Sequence, residues 1–203
     1  AVTGKPMIIS TGMATVAEIG ETVQLIRDLG CEEFVLLKCT STYPANPADS
    51  NILTIPHMRE LFDCEVGISD HTMGIGAAIA AVAHGAQVVE KHFTLRRIDG
   101  GVDSKFSLEP EEMRLLVLEI DRAWQSIGKI IYGPSRAELS SVNDRRSLYI
   151  TKNLNSGDVL TSECLRCIRP GRGLAPKYFD LVLGRKVSED VRKGTPLTWE
   201  LIE

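Results

Sequence analysis

Four short aliphatic runs, each closing in a cluster of polar residues and each followed by a helical pattern, constrain this chain most strongly. The runs are Pro6 to Ile9, Phe34 to Leu37, Val66 to Ile68 and Gln87 to Glu90. They close in Ser10-Thr11-Gly12, Lys38-Cys39-Thr40-Ser41, Ser69-Asp70-His71 and Lys91-His92. After the first run, Thr15 is a good N-cap. Val16, Ile19, Val23, Ile26 and Leu29 then recur at helical spacing, and Gly30 stands at a C-cap position. A Pro/Asn-rich loop from Tyr43 to Asn51 leads to a modest helix from about Ile55 to Phe62. The Ala- and Gly-rich stretch Gly76 to His84 implies a helix packed close on a sheet. A last helix opens at Glu109-Pro110 and would bury Met113, Leu116, Ile120, Ala123 and Ile127.

Successive βα units dictate a parallel sheet. An open doubly wound sheet and half of an eight-unit barrel both satisfy that pattern. A complete barrel takes roughly 250 residues, and this chain has 203. Polar residues at the C-terminal end of all four strands favour the half-barrel, because an open sheet gathers its site at one switch point. The organisation changes once along the chain, from a (β/α) half-barrel over 1–128, through a linker over 129–144 containing Gly133-Pro134-Ser135, to a small β-rich module over 145–203. That module repeats itself at an offset of 37 residues. Ile150, Leu154, Gly157, Leu160-Thr161 and Glu163 align with Val187, Val191, Gly194, Leu197-Thr198 and Glu200. Each copy reads as a strand, a glycine turn, a second strand and a short capped helical start.

Composition removes several function classes. The 23 Lys+Arg against 27 Asp+Glu leave a net charge of −4, unlike the basic stripe of a general nucleic-acid binder. No run approaches the ~18–20 apolar residues of a membrane span, and no signal peptide opens the chain. Five scattered cysteines read as reduced cytoplasmic thiols. No Walker loop or dinucleotide fingerprint is present. Ala1 is not an initiator Met and a strand follows at once, as in a piece of something longer.

Among the four histidines, His57 and His84 sit at helix ends and read as surface or capping residues. His71 and His92 each close a strand, one βα unit apart, so both can aim at one point above the sheet. Two neutral imidazoles completed by oxygen ligands suit a divalent first-row metal; satisfied core histidines are the plainer alternative. Ser10, Ser41 and Ser69 end three successive strands beside backbone N–H groups, an arrangement fit for phosphate or for ordinary capping. The loop Asp99-Gly100-Gly101-Val102-Asp103 follows the fourth strand on the same side. Arg169-Pro170-Gly171-Arg172-Gly173 is a basic turn in the tail, and Cys164 and Cys167 lack the second pair that a zinc site needs.

These segments in this order closely resemble the sialic acid synthase family. The matching stretches are Gly4-Lys5-Pro6, Ile9-Ser10-Thr11-Gly12-Met13, Cys39-Thr40-Ser41-Thr42-Tyr43-Pro44, Gly67-Ile68-Ser69-Asp70-His71-Thr72 and Glu90-Lys91-His92-Phe93-Thr94. In the tail, Ile168-Arg169-Pro170-Gly171 and Gly184-Arg185 match its antifreeze-like (SAF) domain. Ser41, the stretch from Thr94 to Pro110 and Gly173-Leu174 with Pro176-Lys177-Tyr178 look most like the pseudaminic acid synthase branch. The resemblance implies the C-terminal half of a (β/α)8 TIM-type barrel followed by a SAF (β-clip) domain. It implies condensation of phosphoenolpyruvate with 2,4-diacetamido-2,4,6-trideoxy-L-altrose, giving pseudaminate and phosphate. By the same resemblance His71 and His92 would bind Mn2+ or Mg2+, and Ser10, Ser41 and Ser69 would contact phosphoenolpyruvate. Tyr43 and Asp103 would lie near the sugar and do catalytic work. Arg169 would reach the N-acyl group in a partner's barrel, making a domain-exchanged homodimer.

The glutamate and lysines that the family carries on its first four strands are not among these residues, and Asn143-Asp144 stands where relatives often place an aromatic. The expectation is therefore a fragment inactive alone. Rival readings are an N-acetylneuraminate or legionaminate synthase and a non-catalytic carbohydrate- or partner-binding module. Ice binding through the tail fits poorly with Arg169, Arg172 and Lys177.

Overall fold

The computed structural model describes all 203 residues, which separate into two compact units, Ala1–Lys129 and Ile130–Glu203. In the first, the aliphatic runs are the parallel strands β1 (Met7–Ser10), β2 (Phe34–Cys39), β3 (Glu65–Asp70) and β4 (Val89–Lys91), hydrogen-bonded in that order. Each leads to a helix: α1 (Val16–Asp28), α2 (Thr54–Phe62), α3 (Gly76–Ala83) and α4 (Pro110–Ile127). This is a half-barrel.

Parallel register puts paired residues on the same face. Met7 pairs with Phe34, Ile9 with Leu36, Leu36 with Val66, and Ile68 with Val89. That face is apolar, and it packs into one core with Val23 and Ile26 of α1, Ile55, Met58 and Phe62 of α2, and Ala81 of α3. The opposite face carries Ile8, Ser10, Leu37, Cys39, Ser69 and Glu90. On that face Ile8 and Ser10 of β1 are exposed, whereas Leu37, Cys39 and Ser69 are buried. Gly67 on β3 pairs with Leu37, and the backbone of Val88 comes so close that no β-carbon fits.

Local signals fix the helix starts. Thr15 Oγ1 accepts from Glu18 N–H, while the Glu18 carboxylate accepts from Thr15 N–H at 2.7 Å. Pro110 occupies the first turn of α4 behind a reciprocal Glu109–Glu112 cap. The expected buried stripes are shorter than the spacing predicts. Val16, Leu29 and Ile127 are 60%, 49% and 51% exposed. A 13-residue helix is ~20 Å long, whereas a four-residue strand covers only ~13 Å. The outer turns therefore overhang the sheet.

In the second unit β5 (Ser147–Ile150) and β6 (Leu165–Ile168) pair antiparallel, and α5 (Phe179–Val182) is a single short helix. The internal repeat is a two-fold relation in space. Leu154 and Val191, equivalent at the 37-residue offset, exchange both backbone hydrogen bonds at 2.8 Å. Gly157 N–H donates to Val187 C=O, and its equivalent Gly194 N–H donates to Ile150 C=O. Leu160 N–H to Arg185 C=O likewise matches Leu197 N–H to Leu148 C=O. Because these bonds run between the copies, the expected second strand of each copy is reduced to isolated bridges. The stretch 129–144, expected as a linker, contains two 3-10 turns, Arg136–Glu138 and Ser140–Asp144, and Asn143 C=O accepts from Gly171 N–H.

Candidate functional site

β3 and β4 end in register, with Asp70 paired to Lys91, so the next residues on each chain are neighbours. Those residues are His71 and His92, whose ring centroids lie 5.1 Å apart with planes at 65°. His71 is buried, and its Nδ1 stands 2.9 Å from the Thr40 carbonyl oxygen. A carbonyl only accepts, so Nδ1 carries the hydrogen and Nε2 keeps its lone pair. His92 is half-buried, with Nδ1 3.6 Å from the Asp103 carboxylate.

Two further rings complete the cluster. The Tyr43 ring is 4.4 Å from His71 and 6.1 Å from His92, and Phe106 is 4.9 Å from His92 and 5.9 Å from Tyr43. Tyr43 stays more than half exposed, whereas Phe106 is buried. Asp103 arrives through the Gly100-Gly101 turn, where both glycines have positive φ, 81° and 130°. The 3-10 turn Ser104–Phe106 then tucks Phe106 beneath His92.

The serines behave individually. Ser69 is buried and its hydroxyl donates to Glu90 Oε1 at 2.7 Å. Ser41 Oγ lies 3.8 Å from Cys39 Sγ, beside Gly12. Ser10 is exposed at the end of β1, on the same face as Ser69 by register. No hydrogen bond joins the three serines. Beside Cys39, burial pushes the Lys38 ammonium below the usual lysine range, and its Nζ donates to Cys39 C=O and Thr40 Oγ1. Arg169 lies in the second unit, exposed just after β6. A groove of about 1060 Å³ lies at the opposite ends of the strands among Met7, Phe34 and Glu65, away from the imidazoles.

Residues 1–132 match the family model described as the NeuB family. The chain belongs to the NeuB family. Residues 145–203 match the SAF domain. Among curated relatives of this NeuB-family chain, the pseudaminic acid synthase of Campylobacter jejuni (serotype O:2) is 38% identical over 193 residues, covering 95% of this chain and 56% of the relative. The N,N'-diacetyllegionaminic acid synthase of Legionella pneumophila is 37% identical over 203 residues, covering 98% and 57%. This chain thus spans little more than half the length of these relatives. Among solved structures, the N-acetylneuraminic acid (sialic acid) synthetase of Leptospira borgpetersenii in complex with citrate superposes with a TM-score of 0.63 at 34% identity, covering 69% of this chain and 49% of that one.

The metal implied for such a NeuB-family site can be tested against its donors. No group of three or more His, Cys, Asp and Glu side chains comes together to hold an ion. Two imidazoles do converge, one with its Nε2 lone pair fixed by the Thr40 contact. That donor set fits a divalent cation that takes its remaining ligands from water or substrate oxygens.

Sequence reasoning missed Phe106, Glu90 and the Asp70–Lys91 pair. Phe106 sits in an irregular loop with no periodic signal. The other three were legible in principle, since parallel register sets Ser69 against Glu90 and Asp70 against Lys91.

Proposed function

We propose that this chain is the C-terminal part of a phosphoenolpyruvate-dependent nonulosonic acid synthase, a C–C bond-forming transferase of the pseudaminic acid branch. The observation that carries the reading is the meeting of His71 and His92 at 5.1 Å over the strand ends, flanked by Asp103 and Tyr43. Relatives named as pseudaminic acid synthases, 34–38% identical, support the branch; the diacetyllegionaminic relative at 37% marks the competing sugar.

His71 and His92 would hold Mn2+ or Mg2+, which supplies Lewis-acid polarisation of the open-chain sugar aldehyde. Ser10, Ser41 and Ser69 offer hydroxyl donors to the phosphate of phosphoenolpyruvate; Ser69 does so by exchanging its bond to Glu90. Attack by C3 of phosphoenolpyruvate on the aldehyde leaves positive charge at C2, where water adds and phosphate departs by C–O cleavage. The Asp103 carboxylate, half exposed beside His92, is placed to take a proton from a sugar hydroxyl or the added water. The Tyr43 ring walls the sugar side of His71, and its phenol can donate to a sugar oxygen. Arg169 would act in the barrel mouth of a partner subunit within a domain-exchanged homodimer. We place the reaction in the cytoplasm, where the five unpaired thiols stay reduced. No helix is long and apolar enough to cross a membrane.

The test supplies the chain, fused or in trans, with the part of the Campylobacter jejuni synthase that it does not span. Phosphate release should require the supplement and favour 2,4-diacetamido-2,4,6-trideoxy-L-altrose over the N-acetylneuraminate and legionaminate precursors. It should also fall roughly 100-fold in His71→Ala. Turnover by the chain alone would remove the inactive-fragment reading, and preference for another sugar would remove the branch. A His71→Ala variant as active as the wild type would remove His71 from the metal site, and no phosphate release even with the supplement would favour a non-catalytic binding module.

A further inference from the structure

Behind the two imidazoles, on the helix-facing side of the sheet, lies an ion pair that the proposed chemistry does not use. Lys91 Nζ stands 2.7 Å from Asp70 Oδ2, with side chains only 2% and 1% exposed. Asp70 Oδ1 also accepts from Thr72 N–H at 2.8 Å, and Lys91 Nζ donates to Thr72 C=O. Asp70 immediately precedes His71 and Lys91 immediately precedes His92. Successive strand residues point to opposite faces, so each member of the pair is the back side of one histidine.

β4 is only three residues long and is in register with β3 from Ile68–Val89 to Asp70–Lys91. The last rung of that ladder is the ion pair itself. Burying two charges contributes little net stability compared with packed apolar groups, so stability alone is a poor reason for the pair to be there. Its geometry ties both strand ends and grips the Thr72 backbone, immediately after His71, from both sides.

We infer that Asp70 and Lys91 are positioning residues that set the spacing of His71 and His92, and so the affinity of the proposed two-imidazole site for a divalent cation. The affinity half of this inference rests on the metal reading above; the spacing half stands without it.

The test compares the chain with Asp70→Asn/Lys91→Met, a nearly isosteric pair that removes both charges and keeps an acceptor for Thr72 N–H. Three quantities are read: thermal melting, the nuclear Overhauser effect between the His71 and His92 ring protons in metal-free protein, and Mn2+ affinity by calorimetry. The expected result is a melting temperature unchanged or raised, a weakened ring-to-ring signal and Mn2+ binding weaker by roughly 10–100-fold. Retained signal and affinity within twofold of the wild type overturn the inference. If the wild type shows no His71-dependent Mn2+ binding, the metal reading fails, and the ring-to-ring signal still decides the positioning role. Should the double variant not fold, Asp70→Asn alone carries the same comparison by the same criteria.

Discussion

Gly67→Ala tests how tightly β3 and β4 are held together beneath the site. A β-carbon built at Gly67 would meet the Val88 carbonyl oxygen well inside contact distance, with Leu37 Cδ2 at 2.7 Å and Val88 Cβ at 2.9 Å. The Leu37 methyl can turn away, but the Val88 carbonyl cannot, because it accepts from Ile68 N–H at 2.9 Å in the ladder. Two effects oppose each other. Replacing glycine by alanine restricts the unfolded chain and stabilises by up to ~1 kcal/mol where the backbone conformation permits. Overpacking against fixed backbone costs ~3 kcal/mol, the upper end of its usual range. The steric cost wins by about 2 kcal/mol, which lowers the melting temperature by roughly 8 °C for a unit of this size. The helical signal at 222 nm reports this unit, because α1 to α4 all lie in it. Unchanged or raised melting would show that the strands part freely, and would refute the close packing from which the positions of His71 and His92 follow.

Gly173→Ala should destabilise the second unit by ~2–3 kcal/mol, because its β-carbon would press on Leu148 and Leu197 carbonyl oxygens at 2.5 and 2.9 Å; the near-ultraviolet signal of Trp199, packed edge-to-face against Tyr178 at 5.1 Å, reads it. Burial holds the Cys64 thiol above the usual range, the nearby Arg27 opposing only in part, so alkylation by iodoacetamide at pH 8 should run slower than for a peptide thiol and keep rising beyond pH 9; a rate equal to the peptide's contradicts the burial. Lys38 titrates low because burial disfavours its ammonium. The folded state then releases this proton before the unfolded state does, so the group's contribution to stability rises with pH between its lowered value and ~10.4. Lys38→Met should flatten that rise in urea titrations from pH 8 to 10.5, and an unchanged slope would show that another group causes it. Thr15→Ala removes the hydroxyl that caps α1 and should cost ~1 kcal/mol in the same titrations.

The fold was legible where chemistry is local. Thr15, Gly30 and Pro110 announce helix boundaries through caps and φ restrictions that depend on a few residues. The alternation of strands and helices then leaves little choice beyond a parallel sheet. What sequence missed depends on distance along the chain. Phe106 reaches His92 only because Asp103 to Ser107 turn back under the strand end, and nothing in that loop's composition says which way it turns. The hydroxyls of Ser10, Ser41 and Ser69 share a type and a place in the pattern. Yet Ser69 is engaged by Glu90 while Ser10 faces solvent, a difference set by neighbours on other strands. Arg169 is recognisable by its motif alone, since its environment within the second unit is an exposed turn.

A strand end exposes the two sides of the sheet to different environments one residue apart, and this site depends on that step. At the top of β3, Asp70 faces the helices, while His71 begins the opposite side; at the top of β4, Lys91 and His92 repeat the division. A buried charge is costly unless its partner is fixed, so parting the two strand ends would leave Asp70 and Lys91 without the partner each now has at 2.7 Å. A shift of β4 by one residue would part the ion pair and exchange the faces of Lys91 and His92, placing an imidazole among the helices and an ammonium on the histidine side of the sheet. The penalty for that slip falls on the charges, and the register it protects belongs to the histidines. Two residues that never touch substrate in this arrangement therefore guard against the error that would most directly dismantle the site.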